Sequence, residues 1–212
     1  MKKIYRLLVT IVILWCCFAF LASPMEIRLD GKADEAEWKD AQKYELKNGG
    51  SLLVRKGENE IWVSIESSKK GWVQIYISAG DTIRVLHASA ALGEARYIKQ
   101  KQLWHAIQDF KYELRDRGYN EQVAAKQQDY FQKFGWTANN NNTGDGKTFE
   151  FKIDLLRFGR SPVAMAYLIL DDPNDPHYFP VTVNDHTILP RLMQGYTPDS
   201  LSFDTGSWQK MR

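Results

Sequence analysis

Between Ser51 and His87 the chain repeats one pattern four times. A run of five or six residues with alternating apolar side chains is followed by three to six residues rich in Lys, Gly, Ser or Asp. Ile61, Val63 and Ile65 fall on one side of their run, and Val73, Ile75 and Ile77 on one side of theirs. A period of two is that of a strand with one buried face. Lys56-Gly57-Glu58-Asn59, Lys69-Lys70-Gly71 and Ala79-Gly80-Asp81 supply turns at hairpin spacing. Strands are therefore expected at Ser51–Arg55, Ile61–Glu66, Val73–Ser78 and Thr82–His87. Later in the chain Phe149, Phe151, Ile153 and Leu155 alternate with Thr148, Glu150, Lys152 and Asp154, a further amphipathic strand. Val163–Leu170 is apolar on both faces and suits a central strand. Short strands joined by short turns predict a mainly β fold, an antiparallel β-sandwich.

One segment has a different period. Val123, Ala124, Gln127, Tyr130, Phe131 and Phe134 line up at helical spacing, with Asn120 before them and Gly135 after them. An inserted α-helix from Glu121 to about Phe134 follows, capped by Asn120 and stopped by Gly135. Trp136 then leads into a polar loop, Thr137–Lys147, with four consecutive Asn. Ala88–Asp116 fits neither period cleanly, although Phe110, Tyr112 and Leu114 alternate as in a strand.

The first 23 residues read as a signal peptide rather than as part of the fold. Lys2, Lys3 and Arg6 precede a run, Leu7–Ala22, that is apolar except for Thr10, and Ser23-Pro24 breaks it. Sixteen helical residues rise about 24 Å, short of a hydrocarbon core of roughly 30 Å. The expectation is a secreted or periplasmic protein with a single domain at 24–212 and no transmembrane segment after cleavage. Both cysteines, Cys16 and Cys17, lie in the leader. The exported domain would then have neither disulfide nor thiol chemistry. Removing Lys2, Lys3 and Arg6 turns 28 basic and 26 acidic residues into 25 and 26. That balance leaves no basic patch for nucleic acid.

The opening of the expected domain, Ile27-Arg-Leu-Asp30-Gly31-Lys-Ala-Asp34-Glu35-Ala-Glu-Trp38-Lys-Asp-Ala41, resembles the start of family 9 carbohydrate-binding modules and the wider DOMON-like sandwich group. In that group such a string opens the first strand and turn. Leu52–Arg55, Ile61–Glu66 and Val73–Ser78 fall where the family has its next strands. Phe149–Leu155 with Phe158-Gly159 looks like its late strand, and Leu201–Trp208 its terminal one. Read without the family, Asp30-Gly31 is a turn, Asp34 and Glu35 can cap a helical turn, and Trp38 and Ala41 point together into a core. The resemblance implies a family 9-like sandwich and a non-catalytic module binding an oligo- or polysaccharide. Family modules hold a sugar ring between two tryptophans. Here Trp72 stands directly before its strand, and the segment Pro176-His177-Tyr178-Phe179-Pro180 offers aromatics but no Trp.

Rings are the natural candidates for sugar contact, because the apolar face of a pyranose stacks on them. The chain has 27 of them among 212 residues, of which Tyr5, Trp15, Phe18 and Phe20 belong to the leader. Trp38 and Trp208 are assigned to the core. Trp72, Gln74 and Tyr76 share one strand face and form a polar-aromatic stripe, either a platform or a surface covered by the inserted helix or its flank. Trp104 and Trp136 are expected on loops. The carbohydrate candidates are Trp72, Tyr76, Trp104, Trp136 and Tyr178. Asp171, Asp172 and Asp175, with Asn174 between them, gather hard oxygen ligands suited to calcium, which family 9 modules carry; the same residues make ordinary turns. The DOMON-like resemblance implies a second reading, an electron-transfer domain holding haem b through Met with His or Lys, for which His87, His105, His177, His186, Met165 and Met193 are available. A third is a cell-envelope interaction protein with no small ligand. No nucleophile elbow, zinc-protease motif or phosphate-binding glycine loop is present, so an enzyme is not expected.

Overall fold

The computed structural model describes residues 27–67, 71–115, 119–139, 146–159, 162–169, 177–183 and 197–211. In chain order they form α1 (Glu35–Trp38), β1 (Gln42–Glu45), β2 (Ser51–Lys56), β3 (Glu60–Glu66), β4 (Trp72–Ala79), β5 (Thr82–Ala88), β6 (Leu92–Gln100) and β7 (Leu103–Leu114). Then come α2 (Glu121–Phe134), β8 (Trp136–Ala138), β9 (Thr148–Asp154), a 3-10 turn at Leu155–Phe158, β10 (Val163–Ile169), β11 (His177–Phe179), β12 (Ser200–Leu201), a second 3-10 turn at Thr205–Ser207 and β13 (Gln209–Lys210). The expected leader at 1–23 and most of the polar Asn loop lie outside the described residues.

The strands pair antiparallel in two sheets. The first has the order β1-β2-β3-β9-β8, and the second β11-β10-β4-β5-β6-β7-β12, with β13 added beside β10. The expected β-sandwich is present. Leu52, Ile61, Val63, Ile65, Phe149, Phe151 and Ile153 of the first sheet face Val73, Ile75, Ile77 and Leu86 of the second across one core. These are the alternating residues on which the strands were read, and Ile65, Val73 and Phe151 are fully buried. Each such side chain contributes about 1.5–3 kcal/mol of burial.

Helix α2 runs over the predicted residues. The Asn120 side chain accepts the Val123 N–H at 2.9 Å, and Gly135 ends the helix at φ 74° with its N–H on the Phe131 carbonyl. Val123, Gln127 and Tyr130 are buried, while Ala124, Phe131 and Phe134 are half-buried. That is the predicted face. It packs on β8, where the Tyr130 ring meets Trp136 edge-on at 5.3 Å and Gln127 Nε2 donates to the Ala138 carbonyl.

The opening string of the domain is a clasp on the outside of the first sheet. Ile27 and Leu29, which the resemblance places in a first strand, instead form a segment outside any strand, lying with Trp38 against Leu53 and Trp62. Backbone pairing is replaced there by one carboxylate. Glu150, fully buried in β9, accepts the Gly31 N–H at 2.6 Å and the Trp38 indole N–H at 3.2 Å. The Asp34 carbonyl, not its side chain, receives the Glu37 and Trp38 N–H groups that start α1. Gly31 has φ 81°, and a Cβ there would stand 2.6 Å from Asn139 Nδ2, so both the turn and the close approach demand glycine.

The outer face of the second sheet is covered over part of its area by the C-terminal segment. Phe203 and Trp208 pack on Tyr76, Tyr97 and Trp104. Farther along this face, Gly93 lies beneath the Tyr112 ring, and a Cβ at Gly93 would meet Tyr112 Cδ1 at 2.5 Å.

Two predictions follow from this packing. Gly93→Ala must push the Tyr112 ring off the sheet, and urea unfolding should show a loss of about 1–3 kcal/mol. Burial drives the Glu150 carboxyl up to about 7 from 4.5. At Glu150 the folded state therefore binds more protons than the unfolded one between pH 4.5 and 7, a contribution to stability that falls as pH rises by up to about 1.4 kcal/mol per unit; buried His87, lowered from 6.5 to about 4, contributes the opposite slope between pH 4 and 6.5. Glu150→Gln should remove the falling contribution, so that melting temperatures rise more with pH from 4.5 to 7.5 than in the parent; a pH profile parallel to the parent's would show that Glu150 does not titrate there.

Candidate functional site

The structure divides the five candidate rings. Tyr76 is fully buried, its hydroxyl donating to Gln74 Oε1 at 2.6 Å and its ring lying under Phe203 and Trp208. The open alternative for the Trp72–Gln74–Tyr76 stripe is thus corrected at Tyr76, and the cover is the C-terminal segment rather than the inserted helix. Trp104 and Trp136, expected on loops, are corrected as well. Trp104 belongs to β7, 3% exposed beneath Phe203, and Trp136 belongs to β8, fully enclosed between Tyr130 and Phe151. A later segment covers Trp104, whereas the helix that precedes Trp136 covers that ring. Trp72 and Tyr178 remain half-buried.

Strand register relates these two rings. Tyr178 is level with position 167 in β10, then with Gln74 in β4, His87 in β5, Gly93 in β6 and Tyr112 in β7. Trp72 is two residues from Gln74 on the same face. Its ring packs on His87 at 5.1 Å, and Tyr112 meets His87 from the far side at 5.2 Å. Trp72, Tyr112 and Tyr178 form a half-buried aromatic row across the strands, all three packed against the cluster on the outer face of the second sheet. Two cations flank it: Lys47 Nζ stands 5.1 Å from the Tyr178 ring and the Arg115 guanidinium 5.8 Å from Tyr112.

Beneath the row is a polar chain. His87 Nδ1 faces Gln74 Nε2 at 3.5 Å, and His87 Nε2 faces Ser89 Oγ at 3.0 Å. Burial lowers the His87 pKa to about 4, so the imidazole is neutral at neutral pH. A haem iron requires an uncommitted imidazole nitrogen, and both nitrogens of His87 face side chains, so this site does not fit haem b. His177 turns Nδ1 to the Gly49 carbonyl at 2.5 Å. His105 lies in β7, and Met165 in β10 is placed by its backbone only. His186, Met193 and the calcium candidates Asp171, Asp172 and Asp175 lie outside the described residues. Among the described residues no group of three or more His, Cys, Asp or Glu is arranged to hold a metal ion.

Among the described residues, cavities lie elsewhere as well. One opens between the sheets among Leu52, Val54, Val63, Ala166, Phe179 and Met211, with Lys56 and Lys210 at its mouth. At about 60 Å³ it is well below the size of an organic-ligand site. The second, about 320 Å³, is bordered by Arg84, Arg96 and Arg157. It adjoins a buried carboxylate that was not singled out in the sequence. Glu94 Oε1 accepts Arg84 Nε at 2.8 Å and Arg96 Nε at 2.5 Å. Its Oε2 accepts Arg84 Nη2 at 2.6 Å and the Trp136 indole N–H at 2.7 Å. The signal for this group was present: Arg84, Glu94 and Arg96 occupy the same strand faces as Leu86 and Leu92, so charges interrupt apolar faces.

The arrangement thus offers an aromatic, weakly cationic face and an arginine-lined cleft. No protein-family model, curated protein or solved structure matches this chain.

Proposed function

We propose that this chain is an exported, non-catalytic carbohydrate-binding module of the family 9-like sandwich type, docking a saccharide on the outer face of its second sheet. The observation that carries the reading is the aromatic row of Trp72, Tyr112 and Tyr178. Two strand spacings separate Tyr178 from the strand of Trp72, about 10 Å, and three more reach that of Tyr112, about 14 Å. A row of that length suits an oligosaccharide running across the strands, with successive rings meeting the apolar faces of its sugars. Lys47 and Arg115 supply hydroxyl-directed donors beside two of the rings. Gln74 and His87 are committed to one another beneath the row and fix the rings rather than the ligand. Tyr76, Trp104 and Trp136 have no part in this site.

The test is calorimetric titration of the purified protein with a panel of soluble neutral and acidic oligosaccharides. Trp72→Ala and Tyr178→Ala should each weaken binding about tenfold, the ~1.4 kcal/mol expected for one aromatic stack. Tyr178 lies half-buried on β11, the edge strand of the sheet, so its variant should keep the parent melting temperature within a few degrees. Absence of binding across the panel, or parental affinity retained in both variants, overturns the reading. A Soret band in the purified protein would do so as well, in favour of the haem alternative.

A further inference from the structure

The arginine-lined cleft lies beside the Gly80-Asp81 turn that joins β4 to β5. Ile77, Ala79, Thr82, Arg84 and Arg96 lie on the inner face of the second sheet, as their pairing requires: Ile77 with Arg84, Ala79 with Thr82, and Arg84 with Arg96. Phe158 and Gly159, from the 3-10 turn after β9 and the residue behind it, close the opposite side. The volume of about 320 Å³ falls at the lower end of small-molecule sites, roughly 300–1,000 Å³.

Three guanidinium groups border this space, and their positions are fixed. Arg84 is held by both oxygens of Glu94 and by the Phe134 carbonyl at 2.7 Å, with the Phe158 ring 4.0 Å from its centre. Arg96 is held through Nε alone, leaving the two outer nitrogens of its fork unengaged among the described residues. Arg157 lies over Gly135, where a Cβ would stand 2.6 Å from Arg157 Cδ; its Nη1 donates to the Lys133 carbonyl at 3.3 Å, and its Nε is 3.7 Å from Asp154. Glu94 and Asp154 balance two of the three charges. Glu94 already accepts four hydrogen bonds, so it has no capacity for the remaining N–H groups of Arg96 and Arg157. An unmatched cationic fork beside an apolar floor of Ile77, Ala79 and Phe158 is complementary to a planar or tetrahedral oxyanion carried on a small body.

We propose that this cleft is a binding site for a small oxyanion ligand, a carboxylate, sulfate or phosphate on a body no larger than one sugar or aromatic ring, held by Arg96 and Arg157 with Arg84 behind them. The site is independent of the aromatic row, which lies on the other face of the same sheet.

The test titrates the full protein with glucuronate, glucose and inorganic sulfate at low salt. Glucuronate or sulfate should bind while glucose, a similar ring without the carboxylate, should not. Tighter binding of glucuronate identifies an organic acid as the ligand class, and tighter binding of sulfate a free inorganic anion. Arg96→Gln and Arg157→Gln should each weaken the bound anion at least tenfold; Arg157→Gln should do so without a large shift in melting temperature, since that side chain is exposed, whereas Arg96→Gln also takes a donor from buried Glu94 and should lower it. Lys43→Gln, an exposed position on β1, removes the same charge and should leave the affinity unchanged. Failure of both anions to bind at millimolar concentration overturns the proposal. So does equal affinity in the Arg96→Gln/Arg157→Gln double variant, or an equal loss in Lys43→Gln, which would mark a general charge effect. Loss of oligosaccharide binding in Trp72→Ala bears on the aromatic face alone, so the two sites fail separately.

Discussion

A buried carboxylate holds the two sheets and the helix in one arrangement. Glu94 points inward from β6 into the space between the sheets, 2% exposed, and its four hydrogen bonds lead to three different parts of the fold. Arg84 and Arg96 bind it from the second sheet, and Trp136 reaches it from the edge strand of the first. Arg84 also takes the Phe134 carbonyl at the end of α2. A carboxylate removed from water without such partners would cost several kcal/mol, so the group is stable only with its ring of donors complete. Removing one donor leaves charge uncompensated in the interior, typically at 3–5 kcal/mol, more than the loss of an ordinary surface pair. The core between the sheets is apolar and therefore tolerant of sliding. Directional bonds at its margin specify how β8 and α2 sit against β5 and β6.

Glu150 plays the same part on the other face of the first sheet. It too accepts an indole N–H, from Trp38, and it ties the segment at 27–41 to β9 across more than a hundred residues of sequence. No cysteine occurs among the described residues, so these two carboxylates supply long-range ties that no disulfide makes there. The two carboxylates differ in neutralisation. Glu94 faces two guanidinium groups, whereas Glu150 is met by neutral donors, and burial prevails enough to raise its pKa. Glu150 and buried His87 therefore bend the pH dependence of stability in opposite directions.

Strand alternation revealed the sandwich because most strands bury one face. Ser51, Ile61, Val73, Thr82, Phe149 and Val163 each lie at or within one residue of an observed strand start. Asn120 and Gly135 marked α2 to the residue because capping is a local chemical requirement. The 88–116 region resisted the same reading for two physical reasons. Glu94 and Arg96 place charges on the inward face, and the pairing of β6 with β7 slips its register at three places, so alternation is lost along both strands. Placement of the rings was not legible, since exposure of a strand residue depends on what later covers it. Tyr76 and Trp72 lie on one face four residues apart, yet Phe203 and Trp208 cover only the former. A lid more than a hundred residues away leaves no local pattern at the position it covers.

That coverage also organises the two candidate sites. β4 runs from Trp72 to Ala79, a span of about 23 Å at strand rise. Trp72 stands at one end of it, on the outer face beside His87; Ala79 stands at the other, on the inner face at the arginine cleft. The C-terminal cover lies between them on the outer side, and the Glu94 network lies beneath β5 and β6 on the inner side. Substitutions in the aromatic row and in the cleft touch no common partner, so their effects should add rather than couple. The strand joins the sites only as a rigid element, and rigidity alone transmits no preference from one ligand to the other. Two ligands bound here would therefore be held at a fixed separation, each with an affinity set by its own end of the strand.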